Sequence, residues 1–401
     1  MPAVPLRQLL AQPEVSAFLR GIVARARYGN AYLFHGPAGV GKGTAAIAFA
    51  RAALCERVPG AGATAEPSLF GATAPATPLD DACAECGSCL RAASLQHPDL
   101  KFLFPVSGPG DEKELDETIG ETLQAWREDP LFTFQYEKAA SIRLSLTREL
   151  QRELAYRPFE AARRVVVIRD CDRMREDQYS ALLKSIEEPA ATTTWVLTTS
   201  RAARVPPTIR SRCQRVRFAP LSEAVVAGFL GERAGVDARE ARLLAALASG
   251  SLARALAMRG SDPARLRDEA LAMLEPALRR DVPGLWKAAQ GATRFGRAGR
   301  ESLRRAIEFH ELWLRDVLRA RYGAPAEALV NRDHERRIRE LATRLDAAEV
   351  RRRLLVLEEA LRSIDGNVSP DLTLFSTLLR VAGERVGEGA WPAHAAQRSD
   401  V

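Results

Sequence analysis

The sequence lacks the features of an exported or membrane-inserted protein. No apolar run among its 401 residues reaches the ~18 that a membrane-spanning helix needs. The opening segment, MPAVPLRQLLAQPEV, does not show the charged-then-apolar pattern of a signal peptide. We therefore expect a cytoplasmic protein that does not act in a membrane.

Cysteine is scarce, with 6 residues in the chain, and three of them fall within Cys83–Cys89. In a chain with no export signal, such clustering favours a metal site over disulfides.

The excess of positive charge is also slight, because 58 Lys and Arg against 51 Asp and Glu leave a net charge of +7. That balance permits a polyanionic partner without requiring one. The 46% hydrophobic content excludes wholesale disorder, and the length predicts two or three domains.

Residues 1–218 alternate between helical and strand-like patterns, which predicts a parallel α/β layer. Short apolar runs predict its strands at 31–35, 99–104, 164–168, 193–200 and 216–218. A helix is expected from Met174 to Glu188, ended by Pro189. After Pro220 the strand signal disappears and helices follow to about residue 386. The Ala-, Gly- and Pro-rich stretch at 59–79 reads as a mobile loop.

A glycine-rich loop follows the first predicted strand. Residues 36–44 read GPAGVGKGT, which fits the G-x-x-x-x-G-K pattern of a phosphate-binding loop. Loop amides, the dipole of the next helix and the lysine would together hold phosphates. The nucleotide-binding residues predicted here are Gly36, Pro37, Ala38, Gly39, Val40, Gly41, Lys42, Gly43 and Thr44. A purely structural glycine turn is the alternative.

Two departures from the pattern weigh against hydrolysis. The Ser or Thr that ligates magnesium should follow Lys42, but Gly43 stands there. The strand at 164–168 ends in Asp170, which can hold Mg²⁺ through water or simply cap the next helix. Cys171 follows it and cannot act as a carboxylate base. We therefore expect weak or absent ATPase activity, with bound ATP and Mg²⁺ doubtful.

Cys83, Cys86 and Cys89 form a C-x2-C-x2-C turn. Thiolates at this spacing suit a structural zinc, which needs a fourth ligand to close the tetrahedron. Cys55, at the end of the helix after the phosphate loop, is the better candidate, and His97 is the alternative. Three unrelated thiols or an iron–sulfur cluster are the competing interpretations. The lone Cys171 and Cys213 are expected to be packed thiols.

The segment ALLKSIEEPAATTTWVLTTSRAARVPPTIRSRCQ (181–214) strongly resembles the clamp-loader branch of AAA+ proteins. The resemblance extends from Gln12 through the phosphate loop and the cysteines to GSLARAL (250–256) and NVSPDLTLFSTLL (367–379). Among clamp-loader subunits, Gly43, Cys171 and an intact Ser211-Arg212-Cys213 match the non-motor, delta-prime type. Ala253 stands where a motor subunit would have its sensor-two arginine, while Thr199 or Ser200 occupies the region of sensor one.

The resemblance implies an AAA+ module, a small helical lid and a helical collar. We expect these at 1–219, with a zinc-binding insertion at about 55–89, at 220–275 and at 276–386, followed by a flexible tail at 387–401. It also implies a five-subunit ring with gamma/tau and delta subunits. Through the ring, the chain would act on a sliding clamp and primed-template DNA. Arg212 would be an arginine finger for the ATP of a neighbouring subunit.

Three alternatives remain from the residues. A gamma/tau-type motor ATPase would hydrolyse ATP by itself, and a nucleoside monophosphate kinase is suggested by Lys-Gly-Thr alone. Arg212 can also be a surface arginine paired with a nearby carboxylate.

Overall fold

A computed structural model describes residues 4–60, 79–107, 112–129, 131–134, 140–142, 144–188, 190–260, 262–279, 284, 299–365 and 370–383. Most of the predicted 59–79 loop, part of the acidic stretch at 108–118 and the predicted 387–401 tail lie outside these residues. The chain divides into two compact units, Met1–Arg259 and Gly260–Val401. The finer boundary predicted at 275/276 stays a prediction.

Seven strands lie in the described residues of the first unit. They are β1 (Ala31–His35), β2 (Leu100–Leu103), β3 (Val106–Ser107), β4 (Ala140–Ser141), β5 (Arg164–Ile168), β6 (Thr193–Thr199) and β7 (Gln214–Arg217). Five of them form one sheet in the order β2-β5-β6-β1-β7, and all its neighbouring strands are parallel. The predicted α/β fold with a parallel sheet is thereby confirmed. Strands β3 and β4 form a separate antiparallel pair that the sequence did not predict.

The sheet is buried on both faces, as its apolar strands require. Every residue of β5 and β6 is buried. Phe34, Val165 and Val167 pack into the hydrophobic cluster on one face, and Leu33 and Val166 into the cluster on the other. Because β1, β5 and β6 are adjacent and parallel, their carboxyl ends meet at one edge, where ligands of such sheets bind.

Ten helices of the first unit are described. They are α1 (Pro13–Arg25), α2 (Lys42–Ala53), α3 (Gly87–Ala93), α4 (Glu112–Glu128), α5 (Leu144–Leu154), α6 (Glu176–Glu187), α7 (Pro207–Arg210), α8 (Glu223–Ala234), α9 (Ala238–Ala248) and α10 (Leu252–Met258). Helix α6 begins later than the predicted Met174. A short 3-10 turn at Cys171–Arg173 precedes it, and the backbone N–H of Arg175 donates to the Gln178 side chain in a capping box.

The described residues of the second unit form helices joined by turns and loops, with no strand among them. Its helices are α11 (Pro263–Arg279), α12 (Gly299–Arg321), α13 (Glu335–Arg344), α14 (Ala347–Asp365) and α15 (Pro370–Ala382). On α14, Val350, Leu357 and Ile364 are buried in the core of the unit, at the helical spacing seen in the sequence. In the part of the chain that the structure describes, no helix has both the length and the apolar character to cross a membrane.

Candidate functional site

The glycine-rich loop joins β1 to α2 and has a backbone that needs glycine. Gly36 has φ +149°, and a Cβ there would lie 2.3 Å from the carbonyl oxygen of Phe218. Gly39 has φ +74°, and a Cβ there would meet the Ser251 hydroxyl oxygen at 2.2 Å. Side chains are therefore excluded at both positions by strain and by contact. The loop has the close-packed form expected of a phosphate-binding turn.

Lys42 is the first residue of α2 and is almost fully buried. Its Nζ donates to the carbonyl oxygen of Gly36 at 2.9 Å and to that of Pro37. Burial lowers the pKa of Lys42 to about 8. The ammonium group thus lies inside the loop, and Thr44 is two residues further along α2.

Arg169 fills the space beside Gly43. A Cβ at residue 43 would lie 2.3 Å from the Arg169 Nη1 atom. The Nε atom of Arg169 lies 3.3 Å from Oδ2 of Asp170, the acidic residue two positions beyond β5. The sequence did not single out Arg169. The only sequence signal for Arg169 is that a basic residue stands directly before the predicted acidic residue, Asp170.

The residues after Asp170 do not supply a hydrolytic base. Cys171 is fully buried, and burial raises the pKa of its thiol. Both carboxylate oxygens of Asp172 are occupied, because Oδ1 accepts the Thr199 hydroxyl at 2.7 Å and Oδ2 accepts Arg201 at 2.7 Å. Thr199, predicted in the sensor-one region, is therefore bonded to a protein carboxylate.

Helix α10 contacts the phosphate loop directly. The backbone N–H of Ala253 donates to the carbonyl oxygen of Gly39 at 3.3 Å. A Cβ at residue 39 would lie 2.8 Å from the Ala253 methyl carbon. The position expected to carry a sensor-two arginine in a motor subunit thus presents a methyl group against the loop.

The structure brings the four predicted metal ligands together. The Sγ atoms of Cys55, Cys83, Cys86 and Cys89 all lie within 4.8 Å of one another. Cys83 and Cys89 are 3.8 Å apart, which matches the separation of about 3.8 Å between sulfurs held at about 2.3 Å around a tetrahedral zinc. All six cysteines are free thiols. His97 lies outside the cluster, since its Nδ1 accepts the N–H of Asp99 and its Nε2 faces Glu160.

Backbone N–H groups surround these sulfurs. Cys83 and Arg57 donate to the sulfur of Cys55, and Cys89 donates to that of Cys86. A hydrogen bond from the Cys89 side chain lowers the pKa of Cys55 to about 5, and the same bond raises the pKa of Cys89. One thiolate thus forms readily in the cluster, as metal binding requires.

Arg212 lies just beyond α7, where the sequence placed it. Its Nη2 is 2.8 Å from Oε1 of Glu187, and its Nη1 donates to the carbonyl oxygen of Thr208 at 2.9 Å. The side chain is 40% exposed. Within this chain, the pairing with a nearby carboxylate considered above is therefore present. The partner, Glu187 at the end of α6, was not predicted.

A phosphate loop follows β1 of a parallel sheet, and Asp170 follows β5, which is separated from β1 by one strand. These features define the chain as a P-loop protein. The family described as "DNA polymerase III, delta subunit" matches residues 11–222. The chain belongs to this family, which confirms the resemblance inferred from the sequence. The matched region begins near Gln12 and ends near Ala219. The side-chain amide of Gln12 donates a hydrogen bond to the backbone carbonyl oxygen of Ala219 and accepts one from its backbone N–H.

Curated relatives include two types of DNA polymerase III subunit. The chain is 29% identical to DNA polymerase III subunit delta' of Bacillus subtilis over 234 residues, covering 58% of this chain and 55% of the relative. It is 28% identical to subunit delta' of Pseudomonas aeruginosa, and the match covers 50% of this chain and 46% of that relative. The chain is 23% identical to subunit tau of Bacillus subtilis, and that match covers 62% of this chain and 36% of the relative. The chain thus spans about half, or less, of the length of these relatives.

Proposed function

We propose that this chain is a non-motor, delta-prime-type subunit of a DNA polymerase III clamp loader. It would join gamma/tau and delta subunits in a five-membered ring that loads a sliding clamp onto primed DNA. The observation that carries the proposal is the exposed Arg212 in an intact Ser-Arg-Cys segment, in a chain that has Gly43, Cys171 and Ala253 at the hydrolytic positions. The family match and the two delta' relatives support it.

In this proposal Arg212 acts on the nucleotide of a neighbouring subunit. A guanidinium at the rim of one subunit offsets the negative charge that develops on a phosphoryl group held by the next. Within this chain, the ion pair with Glu187 and the bond to Thr208 O hold Arg212 at the surface after α7. The planar guanidinium of arginine presents its N–H donors in a rigid arrangement, which suits this role better than the ammonium group of a lysine does.

The proposal includes a structural zinc bound by Cys55, Cys83, Cys86 and Cys89. Four thiolates close a tetrahedral site and leave no position for a substrate, so the metal would stabilise the fold. It would join the end of α2 to the turn that begins α3. It would not take part in chemistry.

Three functional parts are proposed along the chain. The AAA+ module at 1–219 carries the phosphate loop, the cysteine cluster and Arg212. Helices at 220–275 would form a lid, and helices at 276–386 the collar that assembles the ring. The exposed apolar side chains Leu355 and Leu372 lie on helices of the collar segment.

Arg212→Ala in the reconstituted loader tests the assignment. The assembled complex should form normally, and its ATPase rate should fall by ~10³, the lower range for an arginine finger. Arg210→Ala, two residues away in α7, is the matched control and should leave the rate unchanged. An Arg212→Ala loader that hydrolyses ATP at the native rate excludes the finger role.

The tau relative favours a second candidate, a motor subunit, because Lys42 keeps its place in the loop. A motor would turn over Mg·ATP as the purified chain alone. Turnover that disappears in Lys42→Ala would establish this candidate. Absence of turnover by the native chain would exclude it.

A further inference from the structure

The guanidinium of Arg169 lies between two positions that hold magnesium in hydrolysing P-loop proteins. In those proteins, the ion is held by the Ser or Thr after the loop lysine and by the acidic residue at the end of a neighbouring strand. Here those positions are Gly43 and Asp170. Nη1 of Arg169 is 2.3 Å from where a Cβ of residue 43 would be, and its Nε is 3.3 Å from Asp170. The guanidinium of Arg169 therefore lies next to both positions whose side chains would hold the ion.

Several contacts hold Arg169 in that place. Its backbone N–H donates to the carbonyl oxygen of Leu103 at 2.8 Å, which continues the pairing of β5 with β2. Its guanidinium carbon lies 4.1 Å from the centre of the Phe134 ring, a cation–π distance. Phe134 in turn packs against Phe104 and Phe132. The side chain is 23% exposed and is confined between an aromatic cluster and Asp170.

The loop environment is therefore cationic without any metal ion. Lys42 lies inside the loop, Arg169 lies beside the first turn of α2, and the amides at the start of α2 add their dipole. The carboxylates of Asp170 and Asp172 act on this charge in the opposite sense. Each of them is paired with an arginine, Asp170 with Arg169 and Asp172 with Arg201. Polyphosphates carry several negative charges, so a site with two fixed cations can hold them by charge-assisted hydrogen bonds.

We propose that this phosphate loop binds the polyphosphate of a nucleoside di- or triphosphate without a divalent cation, with Arg169 in place of the ion. Such a site retains nucleotide and does not hydrolyse it, because Gly43 offers no hydroxyl to hold an activating ion and Cys171 is not a carboxylate base. The proposal concerns this chain's own loop. It is independent of the role of Arg212 toward a neighbour.

Equilibrium binding of a fluorescent ATP analogue to the purified full chain tests the proposal. The dissociation constant should be the same in excess EDTA and in Mg²⁺. Arg169→Ala should weaken binding in EDTA by about tenfold or more, since a hydrogen bond between charged groups is worth at least one decade of affinity. Lys42→Ala should lose binding under both conditions.

Two further variants separate binding from folding and from bulk charge. Arg336→Ala removes one positive charge from a side chain that is 95% exposed in the second unit, and it should bind as the native chain does. Arg169→Lys keeps the charge and should retain more affinity than Arg169→Ala, with thermal unfolding confirming that both are folded. A native chain that binds only with Mg²⁺, or does not bind at all, overturns the proposal. Equal affinities of Arg169→Ala and the native chain in EDTA overturn it as well.

Discussion

The Arg212 guanidinium and the Glu187 carboxylate form an ion pair, with Nη2 and Oε1 2.8 Å apart. It connects the second residue after α7 to the last residue of α6, and so joins the Ser-Arg-Cys segment to the Glu-Glu-Pro segment. Both side chains are partly exposed, which places the pair among those worth about 0–1 kcal/mol. The ion pair can therefore be broken at little cost, as the proposed finger role of Arg212 requires.

Glu187→Gln should leave the free energy of unfolding unchanged to within about 1 kcal/mol, because the pair is solvent-screened. The reconstituted loader should hydrolyse ATP at the native rate or faster, since the finger loses only its competing partner. Chemical denaturation and steady-state ATPase assays measure the two effects. A loss of rate as large as that of Arg212→Ala would mean that Glu187 itself is needed to orient the arginine.

Cys83→Ser should remove the metal from the cluster. The native chain is expected to hold one zinc per chain by metal analysis, and the variant close to none, because three thiolates bind zinc much more weakly than four. The variant should also unfold at a lower temperature. Cys213→Ser is the matched control, since Cys213 is a buried thiol of the first unit that is not in the cluster. Unchanged zinc in Cys83→Ser would disprove the ligand assignment.

Gly36→Ala should destabilise the first unit by about 2–4 kcal/mol, because the new Cβ combines a strained φ with a collision against a backbone atom. The colliding atom is the carbonyl oxygen of Phe218, which cannot rotate away. Gly120→Ala is the counterpart in α4, where a Cβ would meet nothing within 4 Å. It should stabilise by about 0.5–1 kcal/mol through helix propensity. Thermal unfolding of both variants checks the pair, and equal effects would contradict the geometry.

Nucleotide affinity and stability should respond to pH in opposite directions near Lys42. Its pKa of about 8 is lowered by burial, whereas an unfolded lysine keeps its proton to about pH 10. The folded free protein therefore becomes more stable as the pH rises from about 8 toward 10, while loss of the ammonium charge weakens phosphate binding. Calorimetry near pH 8 should show proton uptake on binding. Affinity that rises with pH in this range would contradict a binding role for Lys42.

The strands, the phosphate loop and the cysteine turn could be predicted because each has a local pattern. Cys55 was identified as the better fourth ligand because α2 must end near it. The two-residue strands β3 and β4 have no such pattern, and they are too short for alternation to show. Arg169 and Glu187 were missed for another reason. The place of a long charged side chain depends on neighbours that are distant in sequence, such as Phe134 for Arg169.

The strand order has a consequence for how the chain is made. Strand β1 is synthesised first, but its two neighbours in the sheet are β6 and β7, which end at Thr199 and Arg217. During translation, the apolar segment Ala31–His35 therefore has no native strand partner until more than 160 further residues have left the ribosome. Such delayed, non-local pairing is slow and leaves an edge open to wrong association. The nascent first unit should therefore bind chaperones that recognise exposed apolar strands until β6 and β7 have emerged.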